Sequence, residues 1–150
     1  MGRNKLLVLW VEDDPNDVLL LQRAFKKVGI SPVHICPDGE EAIRYLKGKP
    51  PFEDREKFPL PNLIVTDIKM PRASGLDLLR WLHDHPRCCV LPVVLFSGSG
   101  QDKDVQEAYK LGASGFFQKP TKLEEAVNVV EKILNYWREA FPPAAPDGRD

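Results

Sequence analysis

The sequence predicts an α/β fold in which a doubly wound parallel sheet of five strands carries five helices on its two faces. Short apolar runs alternate along the chain with amphipathic stretches of helical period, which is typical of repeated strand–helix–strand units. The apolar runs show little alternation with polar residues, as expected of parallel strands buried on both faces. A length of 150 residues, 43% of them hydrophobic and 29% charged, suits one globular domain.

The five predicted strands are short apolar segments bounded by turn-forming residues. The first and the fourth are apolar almost throughout, and the third is entered through a proline-rich turn and left at Thr66 and Asp67. In chain order, the predicted strands are Lys5–Val11, Val33–Cys36, Leu63–Val65, Leu91–Phe96 and Gly115–Gln118.

The five predicted helices show apolar residues at helical spacing and residues that favour helix ends. Asp14 and Pro15 supply a cap and a first-turn proline for the first helix, and Gly29 ends it. Gly112 closes the fourth helix. In chain order, the predicted helices are Asp14–Val28, Glu40–Lys47, Gly75–His85, Asp102–Leu111 and Lys122–Trp137.

Two segments fall outside this alternation. Gly48–Pro61 is rich in proline and charge and is predicted to be an extended loop, in which Phe52, Phe58 and Leu60 either dock on the body or offer a partner contact. Phe141–Asp150 (FPPAAPDGRD) cannot build a core and is predicted to be a disordered tail. We therefore expect one domain over residues 1–140, with no DNA-binding module after it.

Charge and hydropathy exclude several classes of function. The net charge of −1 gives no overall field that would attract nucleic acid or an anionic membrane. The longest apolar runs are of strand length, and Met1–Lys5 is too short for a signal peptide. The three cysteines form neither a CxxC pair nor a zinc motif, so we expect structural thiols in a reducing compartment. The expected location is the cytoplasm, without direct contact with DNA or a membrane.

Chemically active residues follow four of the predicted strands. Glu12 and Asp13 follow the first, Asp67 the third, Ser97 the fourth and Lys119 the fifth. In a sheet of strand order 2-1-3-4-5, the carboxyl ends of these strands meet at the topological switch point, where ligands bind. Each residue alone is an ordinary turn or loop residue, and it is their joint arrangement that predicts a site.

Clustered carboxylates at this edge predict a cation site. Their mutual repulsion is costly unless a cation offsets it, and an oxygen-rich, open cluster suits Mg²⁺. With a cation beside Asp67, that carboxylate could attack a phosphoryl group in line. Lys119 would add a second positive charge, and the Ser97 hydroxyl could donate a hydrogen bond to a phosphoryl oxygen.

These residues resemble the bacterial response-regulator receiver family, whose fold is flavodoxin-like. VLWVEDDPNDVLLL looks like the family's first strand and acidic pair, and NLIVTDIKMPRASGLDLL looks like its acceptor motif. VVLFSGSG is similar to the strand that carries the switch hydroxyl, and LGASGFFQKP to the aromatic–lysine segment. The resemblance covers Lys5–Trp137 and keeps the family's motif order and spacing.

The resemblance implies a phosphorylation switch in a two-component system. Asp67 would take a phosphoryl group from the phosphohistidine of a sensor histidine kinase, and the protein would catalyse only its own phosphorylation and dephosphorylation. Mg²⁺, with Mn²⁺ as an alternative, would be bound by Asp13 directly, by Glu12 through water, by Asp67 and by the backbone carbonyl of Lys69.

The resemblance also assigns the residues that respond to phosphorylation. Lys119 would contact the phosphoryl group, and its peptide bond to Pro120 would be cis. Ser97 would move towards the phosphate while Phe116 turns inward. The signal would leave through a downstream protein or a homodimer, using the face formed by the last two helices and the fifth strand.

Departures from the family pattern leave some properties open. Ser97 stands where threonine is commoner, Phe116 lacks a tyrosine hydroxyl, and Lys69 and Ser99 occupy positions that tune dephosphorylation. The Gly48–Pro61 insertion and the DIKMP motif look like the stand-alone regulators that accompany bacterial phytochrome kinases.

Three alternative functions predict different residues. A pseudo-receiver that only binds proteins would have lost the acidic pair, the acceptor or the lysine. An aspartyl-phosphate hydrolase would need an acid at the position of Lys69. A flavin-binding protein would need a less acidic first loop.

Overall fold

The chain forms a single five-stranded sheet between two layers of helices. A computed structural model describes residues 6–70, 72–85, 88–98 and 102–140. The predicted tail, Phe141–Asp150, and Ser99 lie outside the described residues. The strands are β1 (Val8–Val11), β2 (His34–Cys36), β3 (Leu63–Asp67), β4 (Val93–Ser97) and β5 (Gly115–Gln118).

All strand pairs are parallel, and the order across the sheet is β2-β1-β3-β4-β5. The predicted fold class and strand order are therefore confirmed. The five helices lie between successive strands and after the last one: α1 (Pro15–Val28), α2 (Gly39–Lys47), α3 (Gly75–Asp84), α4 (Asp102–Lys110) and α5 (Leu123–Glu139).

Residues on alternate positions of the strands build two hydrophobic cores, one on each face of the sheet. Leu9 and Val11 of β1 pack with α2, α3 and α4, whereas Val8 and Trp10 pack with α1 and α5. The apolar runs contain no regular polar positions because both faces of the sheet are covered in this way.

Strand boundaries differ from the prediction by one to three residues, and in β3 and β4 the structure shows the reason. β3 continues beyond Val65 to Asp67 because its last residues pair with Leu95 and Phe96 of the neighbouring strand. β4 begins only at Val93, since Pro92 has no amide proton to donate to a ladder. In both cases hydrogen bonding between strands, which the apolar pattern does not report, sets the boundary.

The predicted cis peptide between Lys119 and Pro120 is wrong. The cis bond found among the described residues joins Pro50 and Pro51.

The inserted segment, Gly48–Pro61, folds back on the body instead of extending from it. Phe52 is buried, and Phe58 packs against the same core at the α2 side. The Arg55 guanidinium donates hydrogen bonds to the carbonyls of Tyr45 (2.9 Å) and Leu46 (3.0 Å) at the end of α2. Of the two predicted alternatives for the loop aromatics, docking on the body is therefore the one observed.

Candidate functional site

The carboxyl ends of four strands meet at one edge of the sheet, as the sequence predicts. Glu12 follows β1, and Asp67 and Ser97 end β3 and β4. Lys119 follows β5, and its amide donates a 2.8 Å hydrogen bond to the Ser97 carbonyl. Hydrogen bonds beyond the strand ends thus hold the loops that carry the side chains of the site.

The Lys119 ammonium joins the carboxylates of this edge. Its Nζ lies 2.9 Å from Oδ2 of Asp67 and 3.0 Å from Oε1 of Glu12. A third carboxylate, Asp17 in the first turn of α1, lies 2.7 Å from the same nitrogen. One cation therefore stands among three carboxylates that come from three separate segments of the chain.

The backbone around Asp67 fixes the direction of its side chain. Its Oδ1 accepts a 2.9 Å hydrogen bond from the Ile68 amide, which leaves Oδ2 facing Lys119. Gly75 opens α3 directly against this turn, and a Cβ atom at Gly75 would lie 2.5 Å from the Asp67 carbonyl oxygen. Only glycine therefore allows α3 to approach the acceptor strand so closely.

Burial and the neighbouring charges shift the ionisation of the site. Burial raises the pKa of Glu12 to about 7, although hydrogen bonds from the Asp14 amide and Lys119 lower it. Burial likewise raises the pKa of Asp67, against the lowering effect of Lys119. Burial lowers the pKa of Lys119, but the hydrogen bonds to Asp17, Asp67 and Glu12 outweigh it and raise that pKa overall.

An open pocket of about 360 Å³ lies over the acceptor. Asp67, Lys69, Ser97 and Lys119 contribute to its walls. Ser97 is 1% exposed, and Lys69 is exposed at the rim. The pocket is large enough for a phosphoryl group and places a carboxylate, a hydroxyl-bearing residue and an ammonium around it.

Phe116 lies on the sheet face that also carries Leu95. The two residues pair in register, as do Gln118 and Ser97 two positions further along. Phe116 is half-buried against the core under α2, α3 and α4. Phe116 therefore lies on the same sheet face as Ser97, on the neighbouring strand and two register positions before it.

Comparison with known proteins identifies the family. A model of the response regulator receiver domain matches residues 8–131. The chain belongs to this family. The receiver domain is 30% identical to the response regulator Rcp1 of Synechocystis over 141 residues, which cover 93% of this chain and 94% of Rcp1.

Solved structures of related receivers have the same fold. Response regulator RPA3017 of R. palustris, described as acting in red light signalling, superposes with a TM-score of 0.85 at 29% identity, covering 93% of this chain and all of that one. The phosphorylated cyanobacterial phytochrome response regulator RcpA gives 0.83 at 26% identity, covering 94% and 100%. The Mn²⁺-bound form of Rcp1 gives 0.80 at 29% identity, covering 93% and 100%. This receiver domain is thus homologous to response regulators of two-component systems, whose receivers interact with a phosphodonor kinase.

The acidic residues fit the Mg²⁺ that receiver domains bind. Carboxylate oxygens of Glu12, Asp13 and Asp67 lie within 4.8 Å of one another. The donor set contains only oxygen, and Asp13 is exposed, so the site is hard and partly hydrated, as Mg²⁺ requires. Three carboxylates also exceed the single charge of Lys119, which favours a divalent cation.

The receiver site contains one charged residue that the sequence analysis did not select. Asp17 lies one helical turn beyond Asp13, and its carboxylate contacts Lys119. In the sequence it reads as an ordinary first-turn acid that favours a helix N-terminus. The available signal was its place in the first turn of α1, directly beyond the acidic strand end.

The described helices of this receiver offer no membrane span, since none of them is both long and apolar enough for one.

Proposed function

We propose that Asp67 is the phosphoacceptor of this receiver and takes its phosphoryl group from the phosphohistidine of a sensor histidine kinase in a Mg²⁺-dependent reaction. The observation that carries the proposal is the Lys119 ammonium, which bridges Asp67 and Glu12 beside an open pocket. A buried carboxylate paired with a fixed cation is suited to receive a group whose charge must be neutralised.

Transfer of the phosphoryl group forms an O–P bond at Asp67 and breaks a P–N bond on the kinase. An Asp67 carboxylate oxygen attacks phosphorus while the P–N bond of the phosphohistidine breaks and leaves the histidine on the kinase. Lys119 donates to a phosphoryl oxygen, and the Ser97 hydroxyl donates to another. Because burial keeps water from Asp67, its carboxylate is less stabilised than one at the surface, which favours reaction.

The metal would be held by Asp13 directly, by Glu12 through water, by Asp67 and by the backbone carbonyl of Lys69. When bound, Mg²⁺ neutralises the negative charge that develops on the phosphoryl oxygens. The Mn²⁺-bound form of the related Rcp1 supports Mn²⁺ as an alternative metal.

Phosphorylation would change the conformation through Ser97 and Phe116. The phosphoryl group adds about two negative charges, which draw Ser97 towards it. Phe116, which pairs with Leu95 on the same sheet face, then turns inward. This shift biases a two-state equilibrium of the surface formed by α4, β5 and α5.

The protein would act as a cytoplasmic response regulator that makes no direct contact with DNA or a membrane. The signal leaves through a downstream protein or a homodimer at the surface formed by α4, β5 and α5. The chain catalyses only its own phosphorylation and dephosphorylation. The phosphorylated RcpA structure, from a relative that spans the same fold, supports a phosphorylation-controlled function.

Intact-mass spectrometry tests the proposal. Purified protein incubated with acetyl phosphate and Mg²⁺ should gain the mass of one phosphoryl group, and chelation of Mg²⁺ should prevent the gain. Asp67→Asn should gain none, whereas the matched control Asp84→Asn, at an exposed position ending α3, should behave as the wild type. A folded wild-type protein that gains no mass would contradict the proposal and favour the pseudo-receiver.

A further inference from the structure

A second group of metal-binding side chains lies away from the phosphorylation site, between β2 and α2. His34 and Cys36 are separated by one residue on β2, so their side chains lie on the same sheet face. Glu41 belongs to the first turn of α2, which covers that face. One nitrogen, one sulfur and one oxygen donor of these residues lie within 4.8 Å of one another.

We propose that His34, Cys36 and Glu41 bind a Zn²⁺ ion. Imidazole nitrogen, thiolate sulfur and carboxylate oxygen are the three protein ligand types of zinc, with water completing the tetrahedron. A soft sulfur ligand also discriminates against Mg²⁺. Binding displaces the proton of the Cys36 thiol to solvent, and the charges of thiolate and carboxylate then balance that of the metal.

The environment of Cys36 favours a cation beside it. The residue is fully buried, and its sulfur lies within 4.8 Å of a carboxylate oxygen of Glu41. A cation between these two groups would offset the charge of the Glu41 carboxylate and of the Cys36 thiolate that forms on binding. Asp38, the N-cap residue of α2, is engaged elsewhere, since it accepts a hydrogen bond from the Glu41 amide (2.9 Å) and pairs with Arg72 (3.2 Å).

The ring of His34 is held in place by three aromatic side chains. It stacks on Tyr45 at 5.5 Å between centroids and meets the edges of Phe52 (5.1 Å) and Phe58 (6.0 Å). Its Nε2 lies 3.2 Å from a Glu41 carboxylate oxygen, a separation typical of two ligands on one zinc ion. Packing of this kind fixes a ligand before the metal binds and thereby lowers the entropy cost of binding.

The inserted loop builds part of this environment. It supplies Phe52 and Phe58, and Arg55 anchors it to the last carbonyls of α2. The side chains of His34 and Glu41 remain 29% and 33% exposed, which leaves the metal a way in and room for a water ligand. The inserted loop, Gly48–Pro61, thus acquires a role as the wall of a metal site.

Zinc affinity of the full-length, reduced and metal-free protein tests the inference. Competition with a chromophoric chelator, in excess Mg²⁺ to occupy the oxygen cluster, should show one Zn²⁺ equivalent per chain. Cys36→Ser, His34→Gln and Glu41→Gln should each lower the affinity by roughly tenfold or more, as loss of groups at metal sites does. Cys89→Ser, at an exposed cysteine, and Asp67→Asn should leave it unchanged.

Replacing Zn²⁺ with Co²⁺ shows directly whether the Cys36 thiolate binds the metal. The Co²⁺-loaded protein should show a thiolate-to-cobalt charge-transfer band that disappears in Cys36→Ser and persists in Cys89→Ser. Glu41→Gln, at a partly exposed position, gives the decisive affinity if the core variant Cys36→Ser fails to fold. Absence of zinc binding, unchanged affinity in Glu41→Gln, or a cobalt spectrum without the thiolate band would overturn the inference and leave His34 and Glu41 as an ordinary ion pair beside a core thiol.

Discussion

The two clusters of metal-binding side chains lie on neighbouring strands yet differ in what surrounds their donor atoms. Glu12, Asp13 and Asp67 offer oxygen only and share their edge with the Lys119 ammonium. The cluster between β2 and α2 offers nitrogen, sulfur and oxygen, and aromatic rings hold its imidazole. A 2.9 Å hydrogen bond from the Glu12 amide to the Cys36 carbonyl is the direct backbone link between them.

Strand topology therefore creates the oxygen cluster at the sheet edge, whereas the inserted loop shapes the cluster between β2 and α2. The ends of parallel strands converge in any sheet of this order, so the oxygen cluster follows from β1, β3 and β5 alone. The second cluster depends on Phe52 and Phe58, which belong to no strand or helix. Variants of the loop should therefore separate the two clusters, whereas variants at strand ends should affect only the first.

The largest effect is expected for Phe52→Ala. Phe52 is 3% exposed, and removing a buried phenylalanine costs about 3–5 kcal/mol of unfolding free energy. Zinc affinity should fall because the His34 ring loses a neighbour, while Mg²⁺-dependent phosphorylation of the folded protein stays unchanged. Urea unfolding, chelator competition and intact-mass spectrometry measure the three quantities.

Phe52→Leu is the matched control for this variant. It keeps most of the buried volume and should cost less than about 1.5 kcal/mol. Zinc affinity in Phe52→Ala equal to that of the wild type would show that the loop wall does not position His34, and a loss of phosphorylation would show that the two clusters are coupled.

The second-largest expected effect is a pH dependence of the unfolding free energy, which arises in the oxygen cluster through Glu12. Burial raises the pKa of Glu12 to about 7 in the folded protein, against 4.5 for an unperturbed glutamate side chain, so the folded state binds the proton more tightly. Stability from this group is fully present below about pH 4.5 and is lost as the pH rises through 7. In metal-free protein, linkage gives a decrease on the order of 3 kcal/mol in unfolding free energy across this range.

Urea unfolding from pH 4.5 to 7.5 in the presence of a chelator measures this decrease. Glu12→Gln should lack it, because an amide cannot titrate. Parallel stability curves for the wild type and Glu12→Gln would refute the assignment of the pH dependence to Glu12, whereas Mg²⁺ should flatten the wild-type curve by stabilising the ionised carboxylate.

The smallest effect is expected for Asp17→Asn. Asp17 contacts Lys119, but its side chain is 28% exposed, and such ion pairs contribute about 0.5 kcal/mol. The rate of phosphorylation by acetyl phosphate should fall roughly twofold, since 0.5 kcal/mol corresponds to about that factor. A time course of intact mass gives the rate.

Two control variants test whether the change in phosphorylation rate depends on the charge of Asp17. Asp17→Glu keeps the charge and should recover most of the rate, and Glu131→Gln removes an exposed charge on α5 without effect. A faster reaction in Asp17→Asn would mean that Asp17 competes with the phosphoryl group for Lys119 instead of orienting it.

Several features were predictable because they depend on local period and on the geometry of parallel sheets. The alternation of apolar runs and amphipathic stretches predicts the five strands and five helices, and Asp14 and Gly29 mark the ends of α1 as observed. Placement of Asp67 and Lys119 after different strands predicts their contact, since strand order alone brings those ends together.

Other features were not predictable because they depend on partners distant in sequence. Pairing of Asp67 with Phe96 of β4 extends β3 through Asp67. Asp17 reads as a helix-start acid until β5 brings Lys119 to it. These interactions join segments whose separation along the chain hides them from any local pattern.

The sequence by itself determined the fold class, the strand order and the acidic edge with its lysine, because periodicity and sheet topology act through short-range pattern and general chain geometry. Only the tertiary structure decided that the inserted loop packs inward and that His34, Cys36 and Glu41 share one space. Cysteine spacing predicts no zinc motif here, since the three ligands meet only when α2 packs on β2 and the loop aromatics hold the imidazole.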